Sequence, residues 1–295
     1  MEIVRPGTNI DFVGKRKFAL FASLLLVVLS LALLLIQGPH YGIDFSGGTL
    51  IQVRFEEKVE ADRLREVLGK VGLGGAILQP FGGAGEYLIK TKLTSGELRG
   101  LRARIEGALS KELTSGFEIR RVEMVGPKVG RDLKSKGFKA VIFALIGILI
   151  YISWRFEVRF ALGAVAALIH DVIITLGVFT ASGRELNLPV VAALLTIVGY
   201  SLNDTIVVYD RIRENMKKLG TTLDAIINRS INETLNRTIL TSLTTLITVV
   251  VLFFLGGGII EDFAFALIVG IVVGTYSSIY IASPIVLFLE RAQKK

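Results

Sequence analysis

"VGYSLNDTIVVYDRIREN", residues 198–215, places a carboxylate inside an apolar run. Residues 190–198 and 206–209 read as parts of one membrane helix, and Asn203 and Asp204 sit between them. A charged side chain at the centre of a bilayer costs at least ~2.5–3.5 kcal/mol on insertion scales. A chain that keeps one there either compensates the charge structurally or uses it. Everything outside the stretch bears on that choice.

The 295 residues are 52% hydrophobic, too apolar for an ordinary soluble protein. A hydrocarbon core about 30 Å thick needs roughly 20 mostly apolar residues per helix. Six segments qualify: 18–36, 138–154, 160–182, 186–209, 238–257 and 263–289. The second is the shortest, with Lys139 and Arg155 able to snorkel at its ends. "KRK" before the first run imitates a signal peptide, but the run is long for an h-region and no small-x-small cleavage site follows. It reads as a retained helix.

The net charge of +8 follows from 34 Lys and Arg against 26 Asp and Glu. Their positions argue for topology rather than a nucleic-acid surface. Basic residues collect in short loops on the cytoplasmic side of a membrane. Here they fall at Arg5, Lys15, Arg16 and Lys17, at Arg155 and Arg159, at Arg211 through Arg229, and at Arg291, Lys294 and Lys295. The opposite short loops hold Arg184 alone and, at 258–262, no basic residue. The expectation is a multi-pass protein of the cytoplasmic (inner) membrane of a bacterium or archaeon, in contact with lipid and not with nucleic acid. The predicted divisions are 1–17 as a cytoplasmic N-terminus, 18–36 as the first span, 37–137 as an extracytoplasmic domain, 138–289 as a five-helix bundle and 290–295 as a cytoplasmic C-terminus. Cysteine is absent, which removes disulfides and thiolate metal sites. Two histidines, His40 and His170, make a poor basis for a metal centre.

Inside the polar block, "TLIQVRF" at 49–55 alternates like a half-buried strand. Residues 61–71 carry Leu64, Val67, Leu68 and Val71 at helical spacing. Segments 76–79 and 87–92 flank "PFGGAGE" as a hairpin. Residues 97–113 form a second amphipathic helix, with Leu98, Leu101, Ile105, Ala108 and Leu109 on one face, and 117–125 a last strand. The order βαββαβ predicts a ferredoxin-like sandwich, a fold that hosts many functions. Its glycines belong to turns. There is no G-x-x-x-x-G-K-[ST], because Gly14-Lys15 and Gly69-Lys70 lack the following Ser or Thr, and no nucleophile triad stands out. The chain does not read as an enzyme, has no recognisable ATP site and calls for no cofactor.

Chemistry therefore rests with the spans. Asp204 lies about six residues inside the predicted cytoplasmic end of its helix, hence ~9 Å deep at 1.5 Å per residue. Thr196, Tyr200 and Asp204 share a face, with Ser201 and Asn203 beside them. Arg237 opens the fifth span, followed by Thr241, Thr244, Thr245 and Thr248 as a hydroxyl stripe. His170 and Asp171 lie mid-way along the third span. In the sixth, Gly270 and Gly274 precede Ser277 and Ser278, a small-residue face that permits close helix approach. Three helices thus carry polar groups that are costly toward lipid and should face each other or a watery seam. Two readings remain open. In one, threonines bond to their own helix and Asp204 with Arg237 is a buried ion pair. In the other, Asp204, Arg237, Asp171, Asn203, Thr241 and Thr244 line a proton or ion path. Desolvation disfavours a charged carboxylate and a nearby cation favours it, so approach and withdrawal of Arg237 would let Asp204 take and release a proton. A gradient could then bias two helix packings that differ in proton affinity, carrying along the outer domain through linkers at 37–48 and 126–137.

These residues also match a family. "YGIDFSGGTL" (41–50), "VGPKVGRDLKSKG" (125–137), "HDVIIT" (170–175), "VGYSLNDTIVVYDRIREN" (198–215) and "LNRTILTSLTTL" (235–246) resemble, in order, the signatures of the SecD/SecF family of protein-export membrane proteins, on its SecF side. The resemblance covers nearly the whole chain. It marks Asp44, Gly47 and Gly48 in the first motif, and implies a separate SecF-type subunit without a fused SecD half. It implies an obligate SecD partner, a SecYEG translocon with its ATPase SecA, and preprotein as substrate. It further implies kinship with the resistance-nodulation-division transporters, and use of the proton-motive force after the ATP-driven step. The family's proton-path aspartate falls on Asp204 and its essential arginine on Arg237. The larger substrate-binding domain and part of the path belong to SecD. Two alternatives stay open: a passive scaffold of the translocon, and half of a small-molecule efflux pump. One run stays unabsorbed. Asn228, Asn232 and Asn236, every fourth residue, make a polar stripe on a predicted cytoplasmic surface helix, read as a solvated face or a partner contact.

Overall fold

A computed structural model of the chain describes residues 8–81, 85–92, 100–113 and 115–293. Leu98, the turn residues 82–84 and the charges at Arg5, Lys294 and Lys295 lie outside the described residues. The chain divides into two compact units. One holds residues 41–138 with Leu186–Leu188; the other holds the remaining helices. The boundary between Phe138 and Lys139 falls inside a helix.

The smaller unit is built on strands β1 (Gly48–Phe55), β2 (Ile77–Pro80), β3 (Glu86–Thr91) and β4 (Phe117–Val125). The sheet runs β2-β3-β1-β4, every neighbour antiparallel. Helices α2 (Ala61–Lys70) and α3 (Leu101–Glu112) follow β1 and β3 in sequence, which completes βαββαβ. Their apolar faces pack on one face of the sheet. Leu64, Leu68, Ile105 and Leu109 meet Val53 and Ile89, all fully buried. Residue pairs two apart along β1 point the same way, so Ile51, Val53 and Phe55 share that core while Leu50 joins Ile43 and Leu88 on the other face. The glycine motif has a steric reason. Gly47 has φ +73°, and a Cβ there would stand 3.0 Å from Cα of Pro127. Gly48 has φ +127°, with the Thr91 carbonyl oxygen 2.6 Å from where a Cβ would go. Glycine alone adopts such backbone without strain.

The larger unit holds α1 (Arg16–Ile36), most of α4 (Pro127–Arg155), α5 (Val158–Ala181), α6 (Leu188–Lys218), α7 (Leu223–Leu255) and α8 (Gly258–Ser277). A π-helical turn, Ser278–Ala282, joins α8 to α9 (Ser283–Gln293). Among the described residues six helical segments are long and apolar enough to cross a membrane, with α8, the π turn and α9 counting as one. Helices are the economical answer there, since a bilayer offers the backbone no hydrogen-bond partner. The interior lies between α5, α6 and α8, which are buried over about half their apolar windows; in α1, α4 and α7 far less of that window is buried. Tyr209 anchors the packing. Its ring is fully buried, edge-on to Phe160 at 4.9 Å, and its hydroxyl donates to the Ala282 carbonyl (3.2 Å) over Gly163, where a side chain would collide.

Helix limits differ from the sequence reading in four places. Residues 127–137 are not a loop: α4 begins at Pro127, whose missing N–H is harmless in a first turn. Helix α6 runs on to Lys218 because no breaker follows Tyr209 until Gly220. The predicted surface helix and fifth span are one helix, α7, starting after Thr222, whose hydroxyl accepts from Ala225 N. The sixth span starts at Gly258, after a turn at Gly257 with φ +70°, and carries the unforeseen π turn. Pro284 accounts for it. Proline cannot donate to the carbonyl four residues back, so the helix widens locally and the Ser283 hydroxyl bonds the Ser278 carbonyl at 2.9 Å.

Candidate functional site

Among the described residues three carboxylates lie buried in the bundle: Glu290, on α9, is ion-paired with Arg159, and the other two sit in polar clusters between helices. Asp171, on α5, is 0% exposed. Its Oδ2 accepts from the hydroxyls of Ser201 on α6 (2.6 Å) and Ser277 on α8 (2.7 Å). Its Oδ1 lies 2.8 Å from His170 Nδ1. Asp204, on α6, is 2% exposed and accepts from Ser242 on α7 at 3.3 Å. Ser242 in turn shares a hydrogen bond of 2.7 Å with Thr275 on α8. Four helices therefore converge on two polar clusters. The clusters share helices rather than hydrogen bonds: Ser201 and Asp204 are one turn apart on α6, Thr275 and Ser277 two residues apart on α8.

The approach of α6 to α8 depends on Gly270 and Gly274. A Cβ on Gly270 would run into Ile197, and one on Gly274 would stand 2.9 Å from Ser201 Cβ. Both contacts step by four residues on each helix, the spacing at which small residues let backbones close up. The glycines thereby bring Ser277 and Ser201 to the same oxygen of Asp171.

The other candidates lie elsewhere. Asn203 and Arg237 are exposed on the bundle surface. Arg237 is near enough for its field to reach Asp204 but forms no ion pair with it. Thr241 bonds the carbonyls of Arg237 and Thr238 (both 3.0 Å), and Thr244 those of Leu240 and Thr241. Thr244 and Thr248 are exposed. The hydroxyl row that meets the carboxylate is the neighbouring one, through Ser242. Sequence reasoning passed over Ser242 and Thr275. The rows 237–241–244–248 and 238–242–245–249 differ by one helical step, and Arg237 at the head drew the reading to the first. Val249 at the end of the second row was the available signal, since that face continues apolar and buried.

Asp44 serves the smaller unit: its Oδ2 accepts from the Leu188 backbone N–H at 2.8 Å. Arg184 is clasped by Glu261 (2.6 Å) and Asp262 (2.5 Å). Burial would lower its pKa, but the hydrogen bonds from these carboxylates prevail and hold it above its ordinary value. Among the described residues no group of three metal-ligating side chains occurs.

The family model described as "Protein export membrane protein SecD/SecF, C-terminal" matches residues 105–292, and the "SecD/SecF GG Motif" matches 32–59. The chain belongs to the SecD/SecF family. Its relatives place it on the SecF side of that family. The protein translocase subunit SecF of Magnetococcus marinus is 50% identical over 100% of this chain and 96% of its own length. That of Escherichia coli O157:H7 is 40% identical over 95% of this chain and 87% of its own. Among solved structures, SecDF of Thermus thermophilus, a translocon-associated membrane protein, is 41% identical with a TM-score of 0.88. The match covers 97% of this chain and 39% of that one, so the chain spans about two fifths of the SecDF polypeptide. The glycine-motif match includes Gly47 and Gly48, and the C-terminal match includes Asp171 and Asp204.

Proposed function

We propose that this SecF-type accessory subunit of the protein translocase acts with a SecD partner to draw on the proton-motive force and promote preprotein translocation across the cytoplasmic membrane. SecYEG and SecA would act upstream of it, in the ATP-driven step. The observation that carries the reading is the pair of buried carboxylates, Asp204 and Asp171, held by hydroxyls from three other helix faces with no Lys or Arg among the described residues bonded to either. Ionisable groups kept inside a membrane bundle default to ion or proton pathways. Protons are the proposed coupling ion, and the termini are proposed to be cytoplasmic from the basic-loop bias.

The exposed residues Asn203, Arg237, Thr244 and Thr248, with half-buried Thr241 among them, support a membrane-embedded partner. Polar groups facing lipid are expensive, and a second helix bundle would cover them. That supplies the part of the path this chain lacks, with Arg237 free to move against Asp204. The efflux-pump reading is disfavoured by relatives that are SecF subunits over their full length.

The test compares wild type with Asp204→Asn in vesicles holding this chain and its SecD partner, with ATP, with and without an imposed proton gradient. Asn keeps the shape and the hydrogen bond from Ser242 but cannot exchange a proton. The expected outcome is an assembled variant complex that has lost the gradient-stimulated part of translocation. An equal response from both would make the carboxylate structural and return the scaffold reading.

A further inference from the structure

The Asp171 cluster contains what the Asp204 cluster lacks, a histidine. His170 is 7% exposed. Its Nδ1 faces Asp171 Oδ1 at 2.8 Å, and its ring stacks on Tyr276 with centroids 6.3 Å apart and planes 25° apart. Its Nε2 is buried and has no hydrogen-bond partner. Buried polar atoms are nearly always paired, so an unpaired ring nitrogen calls for an explanation. We propose that His170 is a second proton-binding site of the bundle, gaining and losing a proton at Nε2 while Asp171 remains its counter-ion. The proposal rests on the proton-coupling reading and adds a site to it.

The donors around Asp171 define the charge state. Its oxygens take the Ser201 and Ser277 hydroxyls and the His170 Nδ1–H. Three donors satisfy an anion. A lone buried anion is costly unless paired. Among the described residues, the side chains bonded to or stacked on the cluster are Ser201 from α6 and Tyr276 and Ser277 from α8; from α1, Ser23 bonds Tyr276. None is Lys or Arg. His170 is therefore the one group there able to carry the balancing positive charge. With a proton on both nitrogens the pair is neutral overall; with Nε2 bare it carries one negative charge. The Nδ1–H···Oδ1 bond is the same in both states, so the whole difference sits at Nε2. The stacked Tyr276 ring adds a surface favourable to an imidazolium.

The position also offers a mechanical consequence. Ser277 is the last residue of α8 before the π turn. A change in charge on Asp171 changes the pull on Ser277 where the helix is already irregular, and such π segments recur at functional sites.

The chain has only two histidines, and His40 is exposed. The His40→Gln variant of the full chain, labelled with 15N-histidine and reconstituted in lipid bilayers, reports His170 alone. Solid-state 15N NMR between about pH 5 and about pH 9 brackets the range in which an imidazole changes charge. The expected result is an Nδ1 that stays protonated throughout and an Nε2 that passes from bare to N–H on acidification. An Nε2 that keeps one form across the range overturns the proposal, whatever the vesicle assay gives. Conversely, an Nε2 that titrates beside an Asp204→Asn complex with full gradient response leaves His170 standing as a proton site and removes Asp204 from the coupling.

Discussion

A single hydroxyl row separates two readings of α7. Arg237, Thr241 and Thr244 share one helical row, and Ser242 stands one residue over, rotated by about 100° at 3.6 residues per turn. That rotation decides whether a side chain meets Asp204 or the outside of the bundle. Gly274 shows the same sensitivity. Its hydrogen is all that fits beside Ser201, which in turn donates to Asp171. Gly274→Val should push α6 from α8 and destabilise the bundle by about 1–3 kcal/mol, the usual cost of overpacking. Gly147, on α4, has nothing within 4 Å of where a Cβ would stand, and Gly147→Ala should be neutral or gain up to ~1 kcal/mol from backbone entropy. Thermal unfolding of the two variants in detergent distinguishes them. Equal melting points would mean that the α6–α8 approach is not limited by that glycine.

At the level of elements, the unabsorbed asparagine stripe finds its partner within the chain. Asn232 Oδ1 accepts from Ile10 N (2.8 Å), and its Nδ2 donates to the Ile10 carbonyl (2.9 Å). Asn228 Oδ1 accepts from Phe12 N (2.8 Å) and Val13 N (3.2 Å). The second and third turns of α7 thus read the backbone of residues 10–13 as a neighbouring strand would, while Phe12 and Val13 bury their side chains. Arg16 extends the attachment by pairing with Asp224 at 3.1 Å. The solvated-face reading of the stripe is corrected by this. Amide side chains four apart can carry paired donors and acceptors, and an extended segment needs both. Asn232→Ala should speed hydrogen exchange not only at Ile10 but at the Phe12 and Val13 amides, whose own acceptor remains. The expected effect is several-fold to about tenfold, for the loss of bonds worth ~1 kcal/mol each in one cooperative unit. Unchanged exchange at Phe12 and Val13 would show that the two asparagines hold the segment independently.

Across the whole molecule the informative contrast is between the interior and the surface of the bundle. The interior clusters are closed by this chain's own hydroxyls. The exposed part of α6 and α7 carries polar groups where lipid would favour apolar ones, and a membrane-embedded partner is the proposed cover. The chain has no cysteine, so Thr244→Cys introduces one thiol there. Maleimide labelling in vesicles should proceed with the chain alone and fall at least several-fold when the SecD partner is present. A Cys at Leu255, exposed near the end of α7, serves as a second position. Equal labelling of Thr244→Cys with and without the partner would place the partner on another face.

Read from the amino acids alone, the six spans, the βαββαβ block, the family motifs and the placing of Asp204 and Asp171 within apolar spans were all accessible. Each is a local signal. An apolar run must be helical in a bilayer, strands alternate, and a carboxylate in such a run is conspicuous wherever its helix sits. The tertiary structure alone decided which hydroxyls serve those carboxylates, that Arg237 and Asn203 face outward, that His170 Nε2 is buried without a hydrogen-bond partner among the described residues, and that Asn228 and Asn232 hold residues 10–13. Those facts depend on the rotation of one helix against another. A periodicity of 3.6 residues fixes a face but not its neighbour, and contacts between residues more than two hundred positions apart leave no mark on either segment.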